Sequence, residues 1–133
     1  VGKALALGAD AVSIGTAALV ALGDNDPKME NEYQKLGTTA GAYDEWHEGQ
    51  DPVGITTQNP ELSKRLDPVL AGQKLSNYLK VITMEVQTIA RACGKSHVRN
   101  LEPEDLVALT MEAAAIAKVP LCGTDWIPGK NEI

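Results

Sequence analysis

A parallel α/β arrangement at the start of the chain, followed by a mainly helical extension, is the fold class this sequence predicts. Three observations carry that expectation. Residues 1–23, VGKALALGADAVSIGTAALVALG, read as the end of a helix, a tight turn, one apolar strand, and a Gly-Thr turn that opens a second helix. Residues 24–60 are rich in Asp, Glu, Gly, Thr and Pro and keep no sustained period. From about residue 61 onward the chain reads as mainly helical, with apolar side chains from Leu66 to Cys93 recurring mostly at three- and four-residue steps, the spacing of one helix face. One αβα unit cannot close a core alone, and the sequence opens mid-pattern at Val1, so the expectation is the C-terminal part of something larger.

Each element has a local reason. Lys3 to Leu7 form the last turns of a helix, and Gly8 suits the position just beyond, where a left-handed residue costs glycine little. Ala11-Val12-Ser13-Ile14 is a short apolar run of the kind buried on both faces of a parallel sheet. Gly15-Thr16 turns the chain, and Ala17 to Leu22 continue as a helix. Pro27 suits the first position of a helix, so one or two helical turns are expected after it. GTTAGAYDEWHEGQDPVGITTQNP is a loop of a length that is either functional or packed by its own aromatics, here Tyr33, Tyr43 and Trp46.

Leu66, Val69, Leu75, Tyr78, Leu79, Ile82, Val86, Ile89, Ala90 and Cys93 then make one apolar stripe, which Gly94 ends. Glu102-Pro103-Glu104-Asp105 puts Pro and acidic groups at a helix start. A helix is expected from there through Leu106, Leu109 and Met111 to Val119, with Pro120 stopping it. The tail CGTDWIPGKNEI is irregular.

The 18 acidic and 12 basic residues leave a formal charge of −6 with no long run of either sign. Such a surface repels phosphate backbones, which argues against nucleic-acid and anionic-membrane partners. No apolar run nears the roughly 18 residues of a membrane span. Cys93 and Cys122 lie far apart without CxxC spacing, so reduced, buried thiols in a cytoplasmic protein are expected.

Gly15-Thr16 is the first candidate for chemistry. A Gly turn at a helix N-terminus offers free N–H groups and the positive dipole end to a phosphate, and the Thr hydroxyl adds one hydrogen bond. A plain strand-to-helix turn capped by Thr is the competing reading. His47 lies among Asp44, Glu45, Glu48 and Asp51, which allows a metal or acid–base role. A solvated loop histidine is favoured, because the spacing matches no zinc motif. His97, in GKSHVRN, reads as a loop residue or a helix C-terminal dipole partner. Cys93 reads as a core thiol, Cys122 has no evident activating base, and Trp46 and Trp126 read as packing residues. No catalytic residue and no metal ligand is assigned from the sequence.

Two segments then stop being anonymous. KALALGADAVSIGTAALVALG closely resembles the last βα unit of the flavin-binding domain of glutamate synthases, and DPVGITTQNPEL resembles that family's CPVGIATQDPEL segment just beyond it. KLSNYLKVITMEVQTIARACGKSHVRNLEPEDL is similar to the C-terminal extension of the same domain. Within the family, DNDPKMENEYQKLGTTAGAYDEWHEGQDP is most similar to the glutamate-synthase-like large subunits of the N-methylglutamate synthase (methylamine–glutamate N-methyltransferase) branch.

The resemblance implies the C-terminal fragment of a (β/α)8 TIM barrel that binds FMN. Residues 1–23 are then its last βα unit, 24–60 a long loop at the place of the family's iron–sulfur loop, and 61–133 the helical extension. Gly15 and Thr16 match the loop that binds the FMN phosphate, and the family's other phosphate glycines and its active-site lysine would lie upstream. The implied activity is oxidoreductase or synthase chemistry in glutamate or N-methylglutamate formation. The implied partners are the rest of the barrel, a glutamate- or 2-oxoglutarate-derived substrate, and amidotransferase-like subunits.

The family places three cysteines here in a pattern like LGC…CHxxxCPVG, holding an iron–sulfur cluster. The first position falls on Asp24, the second on Trp46 and the third on Asp51. No thiolate remains, so the cluster is expected to be absent. Two other readings compete with the enzyme fragment. One is a non-catalytic helical interaction subunit that docks through the Leu66–Cys93 stripe. The other is a different FMN or nucleotide phosphate-binding barrel of the inosine-monophosphate-dehydrogenase kind, which DPVGITTQ and the helices after it argue against.

Overall fold

A computed structural model describes residues 1–130; the end of the tail, Asn131 to Ile133, lies outside the described residues. Among the described residues the helices are α1 (Gly2–Ala6), α2 (Thr16–Leu22), α3 (Glu30–Lys35), α4 (Pro60–Ser63), α5 (Pro68–Ala92) and α6 (Met111–Ala117). Short 3-10 turns occupy Pro27–Met29, Trp46–Glu48, Val98–Asn100 and Pro103–Asp105. The chain divides into two compact units, one of residues 14–80 and one of residues 1–13 with the chain from Val81 onward.

In the unit of residues 14–80, polar caps decide where helices start. Asp26 accepts the Lys28 N–H at 2.9 Å with Pro27 at the first position, which starts the turn leading into α3, as the sequence predicts for Pro27. Asn59 accepts the Glu61 N–H at 2.9 Å ahead of Pro60 and starts α4 in the same way. Between these helices the backbone is irregular, and its core is made by Tyr33 and Tyr43, both buried, as expected of the loop aromatics.

The other unit packs small residues closely. Ala6 of α1, Val86 and Ala90 of α5, and Leu101 form its core, with Leu5, Ile82, Cys93, Val98 and Leu106 against them. Ala6 and Ala90 are each 2% exposed within this cluster. Gly94 ends α5 at φ +72, and the Lys95 N–H reaches back to the Ala90 carbonyl at 2.8 Å, a left-handed stop that glycine takes without strain. A smaller cluster of Ala108, Ala114 and Val119 sits under α6.

Four expectations meet a different outcome. Ala11–Ile14 forms no strand, and among the described residues the only β pairing is an isolated parallel bridge between Ala108 and Leu121. A strand is held by its ladder, and no neighbouring strand is present to supply one. The helix expected from Pro103 is a single turn. Asp105 folds back onto the Glu102 N–H at 2.9 Å, Leu106 is extended, and α6 begins only after Thr110 accepts the Ala113 N–H at 3.2 Å. The apolar stripe is only half covered: Val86 and Ala90 are buried, but Val69 is 82% exposed and Ile89 50%. Both thiols were expected to be buried: Cys93 is partly buried against the core, whereas Cys122, next to Leu121 of the Ala108–Leu121 bridge, is exposed.

Candidate functional site

The 24–56 loop is organised from a glycine. Gly54 has φ +89, and a Cβ there would stand 2.2 Å from the Leu62 carbonyl oxygen and 2.9 Å from its carbon. Only glycine lets the turn pass this close to Leu62. The N–H groups on either side of Gly54 converge on the Asp51 carboxylate. Val53 N–H donates to Oδ1 at 3.0 Å, and the N–H groups of Ile55 and Thr56 donate to Oδ2 at 2.8 and 3.1 Å. Asp51 is 0% exposed, so its charge is solvated by amides instead of water. Arg65 Nη1 donates to the Pro52 carbonyl at 3.0 Å and ties the same turn to the residues after α4.

The start of the loop is held by Asn25, whose φ of +59 is a conformation Asn tolerates better than most residues. Its N–H donates to the Tyr33 hydroxyl at 2.9 Å. Its side-chain Oδ1 accepts the N–H groups of Gly41 and Tyr43 at 2.9 and 3.1 Å, and its Nδ2 donates to the Tyr43 carbonyl at 3.1 Å. One amide side chain thus bridges positions 16 and 18 residues away. The Tyr33 and Tyr43 rings lie beside it with centroids 5.6 Å apart. Asn25 was not singled out by sequence reasoning; a lone polar residue in DNDP carries no local sign of so distant a set of contacts.

Asp24 completes the arrangement. It is 2% exposed, and its Oδ2 accepts the Trp46 indole N–H at 2.9 Å and Asn25 Nδ2 at 3.1 Å. Its Oδ1 has no hydrogen-bond partner among the described residues. Burial pushes the Asp24 carboxyl above the usual carboxylate range, the Trp46 bond pulls it back, and the charge of Asp51 pushes it up again. Burial first and the Asp51 charge second also push up the hydroxyls of Tyr33 and Tyr43.

Asp24, Trp46 and Asp51, the three positions that match the family's cysteine pattern, are therefore brought into one electrostatic cluster. Their donor set does not suit an iron–sulfur cluster. The indole N–H is a donor already given to Asp24, both oxygens of Asp51 hold backbone amides, and no soft sulfur ligand is present.

The other sequence candidates stand apart from this cluster in kind. Gly15 is the N-cap of α2 at φ −120 and supplies no side-chain cap, and a Cβ there would meet nothing within 4 Å. The first intrahelical bonds are Ala18 and Leu19 N–H to the Gly15 carbonyl at 2.8 and 3.3 Å, so the N–H groups of Thr16 and Ala17 precede the ladder. Gly15 and Thr16 are both exposed. These features are compatible with a phosphate, although nothing within the chain crowds the glycine.

His47 is exposed on the Trp46–Glu48 turn, and among the described residues no group of three His, Cys, Asp or Glu side chains is placed to hold a metal ion. His97 caps the Val98–Asn100 turn, its Nδ1 accepting the Arg99 N–H at 3.1 Å, in place of the helix C-terminal role considered for it. Trp126 is 38% exposed. No helix among the described residues is long and apolar enough to cross a membrane.

With this geometry established, comparison with known proteins gives the class first. Residues 39–96, which include Tyr43, Trp46, Asp51 and Gly54, match the family described as conserved region in glutamate synthase. Individual relatives agree with it. The chain is 79% identical over 131 residues to the glutamate synthase large subunit-like protein of Rhizobium meliloti (strain 1021), covering 98% of this chain and 30% of that protein. It is 40% identical over 99 residues to an archaeal glutamate synthase (NADPH) of Methanocaldococcus jannaschii, covering 74% of this chain and 16% of that protein. An archaeal-type glutamate synthase (NADPH) of Dehalococcoides mccartyi is 33% identical over 125 residues, covering 91% of this chain and 22% of that protein. The chain therefore spans less than a third of the length of these curated relatives. No solved structure matches it.

Proposed function

We propose that this chain is the C-terminal region of an FMN-dependent enzyme of the glutamate synthase kind, completing a (β/α)8 barrel with residues 1–23 and extending it with helices from residue 61. The observation that carries this reading is the 79% identity over 131 residues to a protein named for the glutamate synthase large subunit. The whole enzyme acts in the cytoplasm in glutamate or N-methylglutamate formation, on a substrate derived from glutamate or 2-oxoglutarate. Amidotransferase-like subunits are its partner class. The resemblance of residues 24–52 supports the N-methylglutamate branch.

Bound FMN supplies hydride chemistry to such an enzyme. This chain contributes to its phosphate seat the N–H groups of Thr16 and Ala17, the Thr16 hydroxyl, and at Gly15 a surface without a side chain. The open space around the absent Cβ supports this role, since a glycine that no internal neighbour demands is left free to face a ligand.

The test is flavin content of the full-length polypeptide. The parent is expected to purify with FMN, or to take it up when supplied. Gly15→Asp, which sets a carboxylate against the phosphate, is expected to weaken retention at least about tenfold. A colourless parent that ignores added FMN, with Gly15→Asp equally indifferent, overturns the reading.

A further inference from the structure

We propose that Asp24, Trp46 and Asp51 form a metal-free clasp that closes the 24–56 loop by hydrogen bonding, at the place where the resembling family closes its loop with an iron–sulfur cluster. The clasp rests on contacts within residues 24–56 and not on the flavin reading, so the two stand or fall separately.

A cluster held by three cysteines ties three distant points of a loop to one centre. Here the Trp46 indole and the Asp24 carboxylate join positions 22 residues apart at 2.9 Å. Asp51 shapes the far end of the loop by gathering the amides of Val53, Ile55 and Thr56, and reaches Asp24 through its charge, with no hydrogen bond between the two among the described residues. Asn25, next to Asp24, carries the tie to the middle of the loop through Gly41 and Tyr43.

The carboxylates are held by N–H donors, with Asp24 Oδ1 left without a partner among the described residues. Among the described residues neither Asp24 nor Asp51 takes part in an ion pair, although both are buried. Buried carboxylates without a cation persist only where N–H donors replace water. The donors here are the amides of Val53, Ile55 and Thr56, the Trp46 indole and the Asn25 side chain.

Clasp and cluster exclude each other. Binding iron through these positions means withdrawing the indole from Asp24 and turning Asp51 away from the amides that define the 51–56 turn. The buried Tyr33–Tyr43 pair, its ring centroids 5.6 Å apart, already packs the interior of this loop.

The experiment measures iron, acid-labile sulfide and hydrogen exchange in the full-length polypeptide, purified without oxygen and offered iron and sulfide. The parent is expected to hold neither in stoichiometric amount. Trp46→Phe, which keeps the ring and removes the donor, is expected to speed exchange in peptides spanning 37–50 about tenfold. Asp51→Asn is expected to speed exchange across 51–56 by at least as much, and Glu48→Gln, an exposed acid of the same loop, to change neither. If Asp51→Asn does not fold, Trp46→Phe decides alone. Stoichiometric iron and sulfide in the parent, or unchanged exchange in Trp46→Phe, overturns the clasp.

Discussion

The 24–56 loop and the 8–16 turn are both irregular backbone, yet they stand in opposite states. The loop satisfies most of its own polar groups: the amides of Gly41, Tyr43, Val53, Ile55 and Thr56 all find side-chain acceptors within it, and among the described residues Asp24 Oδ1 and Thr56 Oγ1 are its buried atoms left without a partner. The turn does not. Ala11, Ser13, Gly15 and Thr16 are exposed, the apolar run 11–14 has no ladder, and α2 starts without a side-chain cap. Irregular chain is held firmly where its polar groups have partners, whatever its lack of period. A strand-like sequence without a neighbouring strand remains a segment whose partners must come from outside it. The loop is thus a finished structure, and the turn is an open one.

The sharpest way to break this contrast is at Gly54. Gly54→Ala brings a Cβ to 2.2 Å from the Leu62 carbonyl oxygen on a residue with φ +89. Neither backbone segment can yield cheaply, so a loss of about 4 kcal/mol or outright failure to fold is expected in chemical denaturation. A loss under about 1 kcal/mol would show that the 51–56 turn is loosely held. Asp51→Asn comes next. An amide NH2 placed among backbone N–H donors orphans at least one of them, for an expected loss of about 3 kcal/mol. Asn25→Ala strands the amides of Gly41 and Tyr43 and should cost about 2 kcal/mol, with Asn25→Gly recovering none of that bonding but relieving the positive φ.

One buried carboxylate, Asp24, should make stability depend on pH. Asp24 has its folded-state pKa raised, chiefly by burial, with the Asp51 charge adding to it and the Trp46 bond opposing. Its contribution to stability is therefore fully present below the unfolded carboxyl value of about 3.9 and is lost as pH rises through the higher folded value. Asp24→Asn removes that titration while keeping an oxygen for the Trp46 indole. The groups facing it are Asp51, Tyr33, Tyr43 and Trp46. The midpoint of thermal unfolding of Asp24→Asn relative to the parent is expected to climb as pH rises from below the unfolded carboxyl value through the raised folded value. A difference that stays flat across that range would mean that Asp24 is ionised in both states at no cost.

How much of this was legible in the sequence depends on how local each cause is. Pro27, Gly94 and the loop aromatics declared themselves because a cap, a left-handed stop and a large side chain in a polar stretch act within a few residues. The cradle around Asp51 also had a local signature, since its donors follow two, four and five residues later and Gly54 makes the turn. The role of Asn25 had none, because its partners lie 16 and 18 residues on. Pro103 with its acids misled for a physical reason: proline and a carboxylate start a 3-10 turn as well as a helix, and the working cap was Thr110. The strand at 11–14 was inferred from composition, but a strand exists only with a partner. The coincidence of Asp24, Trp46 and Asp51 with a cysteine pattern came from resemblance, and only the fold shows that Trp46 bonds Asp24 and that the charge of Asp51 acts on it.

The smallest expected effect is the most discriminating for the open region. Gly15→Ala adds a Cβ where nothing lies within 4 Å, so no neighbouring atom in the chain resists it. Stability of the full-length polypeptide should change by less than about 0.5 kcal/mol, the size of an ordinary surface substitution. If the glycine is there to let a phosphate approach the α2 amides, FMN retention should still fall in that variant while the unfolding midpoint of the flavin-free protein stays put. A matching fall in both would place the need for glycine in the fold. That outcome would close the turn into the same self-sufficient category as the loop and remove the contrast between them.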